Sequence, residues 1–238
     1  MSSAPVVAAL LFDVFGTVVD WRSSLIEELT RFGAAKGINA DWAEFTDAWR
    51  GLYQPSMEAV RSGQRAFTIL DVLHRESLET LLAQRGITGL TDAEKDHLTR
   101  AWHRLRPWPD VVEGLRRLKT RFIIGTLSNG NIGLLTRLSK HAGLPWDVVL
   151  GAETARAYKP LPRAYLANVE LLNLEPAEVM LVAAHNGDLA AARGCGLRTG
   201  FVARPTEYGP KPARDLAPQS PWDVVGDGFV GLAAALGC

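Results

Sequence analysis

Three apolar runs of strand length mark the chain: Val6 to Phe12, "FIIGTL" from Phe122 to Leu127, and "VMLVAA" from Val179 to Ala184. Each is continuous rather than alternating, as expected of strands covered on both faces in a parallel sheet. "DVVL" (Asp147 to Leu150) and "TGFVA" (Thr199 to Ala203) predict two shorter strands. Between the runs lie segments of helical period, "PDVVEGLRRLKTR", "NIGLLTRLSKHAG", "PRAYLANVELLNL" and "GDLAAARGCG". Strands alternating with helices predict an α/β protein built on a doubly wound (Rossmann-like) parallel sheet.

Residues 22–102 interrupt that alternation and read as helical throughout. Asp41 stands three residues before Glu44, a helix-capping pattern. Trp42, Phe45, Trp49 and Leu52 then recur at helical spacing. Further helical stretches run from about Phe67 to Arg85 and from Asp92 to Leu105. The pattern predicts an all-helical cap domain, residues 21–102, inserted after the first strand of a core formed by residues 1–20 and 103–238. The proline-rich segment from Arg204 to Asp223 predicts a loop.

Composition adds exclusions. Lys+Arg and Asp+Glu are equal at 26 each, so no overall field recruits nucleic acid or an anionic membrane, and neither is expected as a partner. The apolar run from Pro5 to Phe12 falls far below the ~20 residues of a spanning helix and has no basic stretch before it. Two cysteines, Cys195 and Cys238, are too few for a disulfide framework, which favours a reducing, cytoplasmic setting.

Candidate chemistry collects at strand ends, where open α/β sheets bind their ligands. Asp13 ends the first run in "LLFDVFGTVVDW". Ser128 and Asn129 follow the "FIIGTL" strand in "TLSNGN". His185, Asn186 and Asp188 follow the "VMLVAA" strand in "AAHNGD", and Lys159 stands in "AYKPLPRAY" before a helix. Any one of these clusters could be ordinary turn chemistry.

Taken in order, Asp-x-Phe-Gly-Thr, Ser-Asn-Gly, Tyr-Lys-Pro and an acid-bearing loop resemble the haloacid dehalogenase superfamily. The closest branch is the L-2-haloacid (type II) dehalogenases, and the likeness spans nearly the whole chain, helical cap included. The resemblance implies hydrolysis of short 2-haloacids with no metal and no cofactor. Asp13 would be a nucleophile that forms a covalent ester. Lys159 would keep it ionised, since a nearby ammonium lowers a carboxylate pKa by about 1–3 units. Asp188 would orient Lys159 and the hydrolytic water. Arg50, in "AWR", would cradle the departing halide. Ser128 and Asn129 would bind the substrate carboxylate, with Asn186 nearby. Tyr165 matches a pocket tyrosine or a core helix residue, and Thr17 either bonds near the nucleophile or finishes the turn. Relatives of this branch are often dimers, so a homodimer follows from the resemblance, although no interface is legible in the chain.

Phe15 separates the branches. Phosphatases of the superfamily carry a second aspartate there, which protonates the leaving alkoxide and helps to assemble a magnesium site. General acid catalysis is worth about 10²–10⁴-fold, or roughly 3–5 kcal/mol of barrier, so its loss would cripple phosphate-ester hydrolysis. Chloride and bromide leave without a proton, and an aromatic ring suits an apolar carbon skeleton. Two other readings remain open on the sequence: a Mg²⁺-dependent phosphatase and a catalytically silent fold member.

The last loop departs from the type II pattern. Ala183, Ala184 and His185 stand where Ser-Ser-Asn is usual, and Gly187 replaces a frequent tryptophan. His185 can exchange a proton near neutral pH. It is therefore expected to position or deprotonate the hydrolytic water, or to donate to fluoride. Gly187 alters the pocket space, which Trp42, Trp49 or Tyr53 could fill; Phe201, Tyr208 and Trp222 are further candidates.

Overall fold

A computed structural model of the protein describes residues 6–211 and 214–238. Residues 1–5, with Pro5 of the first apolar run and the start of the expected 1–20 segment, and residues 212–213 of the proline-rich loop lie outside the described residues.

The chain runs β1 (Ala9–Phe12), β2 (Val19–Asp20), α1 (Trp21–Lys36), α2 (Trp42–Gly51), α3 (Tyr53–Arg61), α4 (Leu70–Gln84) and α5 (Asp92–Thr99). It continues through β3 (Arg106–Pro107), α6 (Val111–Lys119), β4 (Ile123–Ser128), α7 (Ile132–Ala142), β5 (Val148–Gly151) and α8 (Ala152–Ala155). The remaining elements are α9 (Pro162–Glu170), β6 (Val179–Ala183), α10 (Asn186–Gly194), β7 (Arg198–Val202), β8 (Val224–Gly226) and α11 (Phe229–Ala235).

Six strands form one sheet in the order β5-β4-β1-β6-β7-β8, and each pairing is parallel. The doubly wound α/β prediction is correct, and β1 explains why its sequence does not alternate. Leu10 and Phe12 point into the layer packed by α6, α7 and α11, whereas Ala9 and Leu11 point into the layer packed by α9 and α10. All four are fully buried. Four of the expected strands appear within one residue of their predicted places, and the first starts three residues later than expected, at Ala9. Unforeseen was β8, a three-residue edge strand whose Val225 is about half exposed, too short and too wet to leave an apolar signature.

Between β1 and α6 the chain leaves the sheet. A two-residue antiparallel ladder, Val19 against Pro107 and Asp20 against Arg106, joins the outgoing and returning segments. Helices α1–α5 lie between these strands. Asp41 caps α2 by accepting the Glu44 N–H at 2.9 Å, and Trp42, Phe45 and Trp49 are buried beneath it. The apolar stripe does not run on as one helix: α3 begins at Tyr53, directly after the Leu52 cap. After Thr99 the chain tightens into a 3-10 turn, Arg100–His103, that seats Ala101, Trp102 and His103 in the interior.

Polar contacts fasten these helices to the sheet's loops. The Asp71 N–H donates to Asn131 Oδ1 at 3.1 Å while Asn131 Nδ2 donates to Asp71 Oδ2 at 3.0 Å. The Tyr158 hydroxyl donates to the Thr68 carbonyl at 2.6 Å. Arg61 donates to the carbonyl of Lys159 at 3.0 Å.

Candidate active site

Sheet order places the site. β1 lies between β4 and β6, the strands from which the chain winds outward in opposite directions, so a crevice opens beyond their carboxyl ends. Asp13 extends the ladder one residue past β1, its N–H donating to the Val182 carbonyl at 3.0 Å. A tight turn follows, with the Val18 N–H bonded to the Val14 carbonyl at 2.9 Å and Gly16 at φ +89°. That turn folds Thr17 back over Asp13.

The Asp13 carboxylate is 7% exposed and held by three side chains. Lys159 Nζ donates to Oδ1 at 2.9 Å, the Thr17 hydroxyl donates to Oδ2 at 2.8 Å, and His185 Nδ1 lies 3.1 Å from Oδ2. Thr17 in turn accepts the Ala184 N–H at 2.9 Å, which fixes its hydroxyl toward Asp13. Burial opposes ionisation of Asp13, but the charges and hydrogen bonds of Lys159 and His185 outweigh it and hold the carboxyl far below the usual range. Lys159 feels the reverse: burial would lower its pKa, and the charges of Asp13 and Asp188 raise it instead.

Lys159 reaches Asp13 because its backbone is pinned from both sides. Its N–H donates to Asn129 Oδ1 at 2.9 Å, and its carbonyl accepts from Arg61. Its ammonium also donates to Asp188 Oδ2 at 2.5 Å, and Asp188 Oδ1 accepts the Tyr165 hydroxyl at 2.6 Å. Burial, then the Asp188 charge, push the Tyr165 pKa far upward, so it stays a donor. Asp188 itself stands in the first turn of α10.

Over this group lies a cavity of about 740 Å³, lined among others by Asp13, Phe15, Arg50, Asn129, His185 and Asp188. Phe15 packs edge-on against Trp102 and Tyr53, with centroids 5.7 and 6.4 Å apart, and supplies neither a proton nor an oxygen ligand. Arg50 stacks over Tyr53 and Trp21, 4.1 and 5.2 Å from their centroids. Its buried Nη1 has no hydrogen-bond partner among the described residues.

Asp13, Phe15, Thr17, Arg50, Asn129, Lys159, Tyr165, His185 and Asp188 are thus brought together. Ser128 and Asn186 are not. Ser128 is buried, with its Oγ accepting the Gly130 N–H at 3.1 Å. Asn186 spends its amide on the proline-rich loop, donating to Asp215 and the Ala217 carbonyl and accepting from Gln219 and Trp222. Gly187 borders the cavity with open space where a side chain would stand. Tyr53 and Tyr208 line the cavity, whereas Trp42 and Trp49 pack within the helical layer and Phe201 and Trp222 on the far side of the sheet.

One residue gave no sequence signal. Glu207, 2% exposed, places Oε2 2.9 Å from His185 Nε2 and accepts the Trp21 indole N–H on Oε1 at 3.1 Å. It lies in the segment read as a plain loop, outside every motif. Burial would lower the pKa of His185, but the charge of Glu207 and hydrogen bonds to both carboxylates push it up to about 10. A carboxylate against each ring nitrogen favours the protonated ring, which disfavours the expected role of His185 as a base toward water and leaves its positioning role in place.

A parallel α/β core with a buried, ionised aspartate at the tip of its central strand and a helical cap is the architecture of the haloacid dehalogenase-like hydrolases. The chain matches that family's model over residues 7–196 and belongs to it. Among curated relatives, the (S)-2-haloacid dehalogenase 4A of Burkholderia cepacia is 30% identical, across 84% of this chain and 86% of its own length. A defluorinating L-2-haloacid dehalogenase of known structure is 50% identical and superposes with a TM-score of 0.96, covering 98% of this chain and 96% of its own. A second L-2-haloacid dehalogenase is 48% identical with a TM-score of 0.94, covering 97% and 98%.

Proposed function

We propose that this protein hydrolyses short 2-haloalkanoic acids to 2-hydroxyacids through an ester on Asp13. The observation that carries the reading is the pairing of Asp13 with Phe15: an ionised carboxylate and, two residues on, an apolar ring. The carboxylate attacks the halogen-bearing carbon from the face opposite the halide and inverts it. Arg50 receives the halide, its unpaired N–H and aromatic-stacked guanidinium already aimed and desolvated. Phe15 and Tyr53 pack around the alkyl group. Asn129, with its Oδ1 occupied by Lys159 and its amide beside the Tyr53 hydroxyl, offers an N–H to the substrate carboxylate.

In the second half, water attacks the Asp13 carboxyl carbon. Asp188, fixed by Lys159 and Tyr165, accepts a proton from that water. An in-line displacement puts nucleophile and leaving group on opposite faces of the carbon, so His185, bonded to Oδ2 of the attacking carboxylate, is on the wrong side to protonate departing fluoride.

The defluorinating relative makes fluoroacetate part of the proposed substrate range. No helix among the described residues is long and apolar enough to cross a membrane; two free cysteines support a cytoplasmic setting. The test is halide release from chloro-, bromo- and fluoroacetate and both 2-chloropropionates, with and without chelator, against Asp13→Asn. Chelator-insensitive halide release lost in the variant supports the reading. Chelator-sensitive release of phosphate from an aryl phosphate, without halide, replaces it with a phosphatase.

A further inference from the structure

Among the described residues, His185 is the only ring flanked by two acids that both touch it. Nδ1 faces Asp13 and Nε2 faces Glu207, at 3.1 and 2.9 Å. Ionised carboxylates only accept hydrogen bonds, so with both acids ionised each ring nitrogen carries a proton. Glu207 is placed with care: it is buried, takes the Trp21 indole N–H, and lies so close to Gly16 that a Cβ there would come within 2.1 Å of its Oε1. An acid buried on that scale is costly unless something compensates it, and the imidazolium does.

The two oxygens of Asp13 are not equivalent. Each has two in-plane lone pairs. Those of Oδ2 are both taken, by the Thr17 hydroxyl and the His185 ring, whereas Oδ1 meets only Lys159. Oδ1 therefore has a lone pair to give to carbon, and Oδ2 becomes the carbonyl oxygen of the ester. Donors at 2.8 and 3.1 Å then already surround the atom on which negative charge develops in hydrolysis.

Resting on the haloacid reading above, we infer that His185, held by Glu207, is with Thr17 the oxyanion-binding group of the ester-hydrolysis step. Water adds to the Asp13 carboxyl carbon, giving one proton to Asp188, and the C=O electron pair moves onto Oδ2 against His185 and Thr17. Collapse breaks the bond from the carboxyl carbon to Oδ1. The 2-hydroxyacid leaves as an alkoxide that takes the proton back from Asp188. Asp13 remains as a carboxylic acid whose second proton passes to solvent, its lost oxygen replaced by that of water. His185 touches the reacting group and is catalytic in this step; Glu207 acts through it and is a positioning residue.

The test is single-turnover reaction with (S)-2-chloropropionate, following chloride release and the mass of the protein by rapid quench. In His185→Gln one equivalent of chloride should still be released within several-fold of the wild-type rate, while the ester accumulates and decays about 10²–10³-fold more slowly. Glu207→Gln keeps the size and removes the charge; it should also accumulate ester, with a milder, roughly tenfold slowing. Nitrogen NMR of the His185 ring should show two protonated nitrogens at neutral pH in the wild type and a neutral ring in Glu207→Gln. Chloride release with unaltered ester decay in both variants, or a neutral wild-type ring, overturns the inference alone. Slow chloride release without ester in both variants also overturns it, assigning the pair to the first step. No chloride release by the wild-type protein overturns the haloacid reading and this inference together.

Discussion

Gly16 and Glu207 fit against each other so closely that any side chain at position 16 would overlap the Glu207 carboxylate: a Cβ there would fall 2.1 Å from Oε1 and 2.3 Å from Cδ. The backbone at Gly16 also has φ +89°, a conformation that L side chains rarely adopt. Gly16→Ala should thus lower stability by about 1–3 kcal/mol from backbone strain and displace Glu207 from His185. Thermal unfolding reads the first effect; slower ester decay in a single turnover reads the second.

Asp13→Asn should abolish halide release, with turnover reduced by at least about 10⁴-fold, the scale seen when a member of a catalytic group is removed. In water enriched with heavy oxygen, one turnover of the wild-type protein should place the label in the Asp13 side chain and leave the product hydroxyl unlabelled. Label in the product after one turnover would mean direct attack by water.

Arg50→Lys keeps the charge but loses the flat face that stacks on Tyr53 and Trp21. Loss of one pre-aimed donor commonly costs about 10²–10³-fold in kcat. The fall should appear in kcat for chloroacetate more than in KM, because the halide carries its charge only as it departs. Steady-state chloride release checks it.

His185 gives a pH signature. Its folded pKa of about 10 lies above the ordinary 6.5. Its contribution to stability is therefore complete below pH 6.5 and is lost as pH rises through about 10. The unfolding temperature should decline across that alkaline window, and the decline should flatten in His185→Gln. Asp13, whose pKa is lowered, contributes oppositely: its stabilisation is present above pH 3.8 and is lost only well below it.

The reciprocal pair between Asp71 and Asn131 joins α4 to the loop after β4. Asn131→Ala removes both bonds and leaves a part-buried acid with one partner, His103. The variant should lose roughly 1–3 kcal/mol of stability and show a raised KM with a smaller change in kcat. Urea unfolding and chloride release together check it.

The sequence alone determined the sheet and most of the site. Fully buried strands such as β1 cannot alternate, so their continuous apolar runs announce both their depth and the parallel class. Asp13, Asn129 and Asp188 follow the carboxyl ends of such strands in chain order, and Lys159 stands in its motif before a helix, which is why they are legible. Tertiary structure decided what depends on distant parts of the chain meeting. Ser128 and Asn186 stand beside site residues in sequence, yet turn their polar atoms to a glycine N–H and to a distant loop. Glu207 stands in a proline-rich stretch without period or motif, and becomes important only because it crosses 22 positions to His185 and 186 to Trp21. Local patterns record how deeply a residue is buried. They carry no trace of which charge it will meet there, and that meeting sets the protonation of His185.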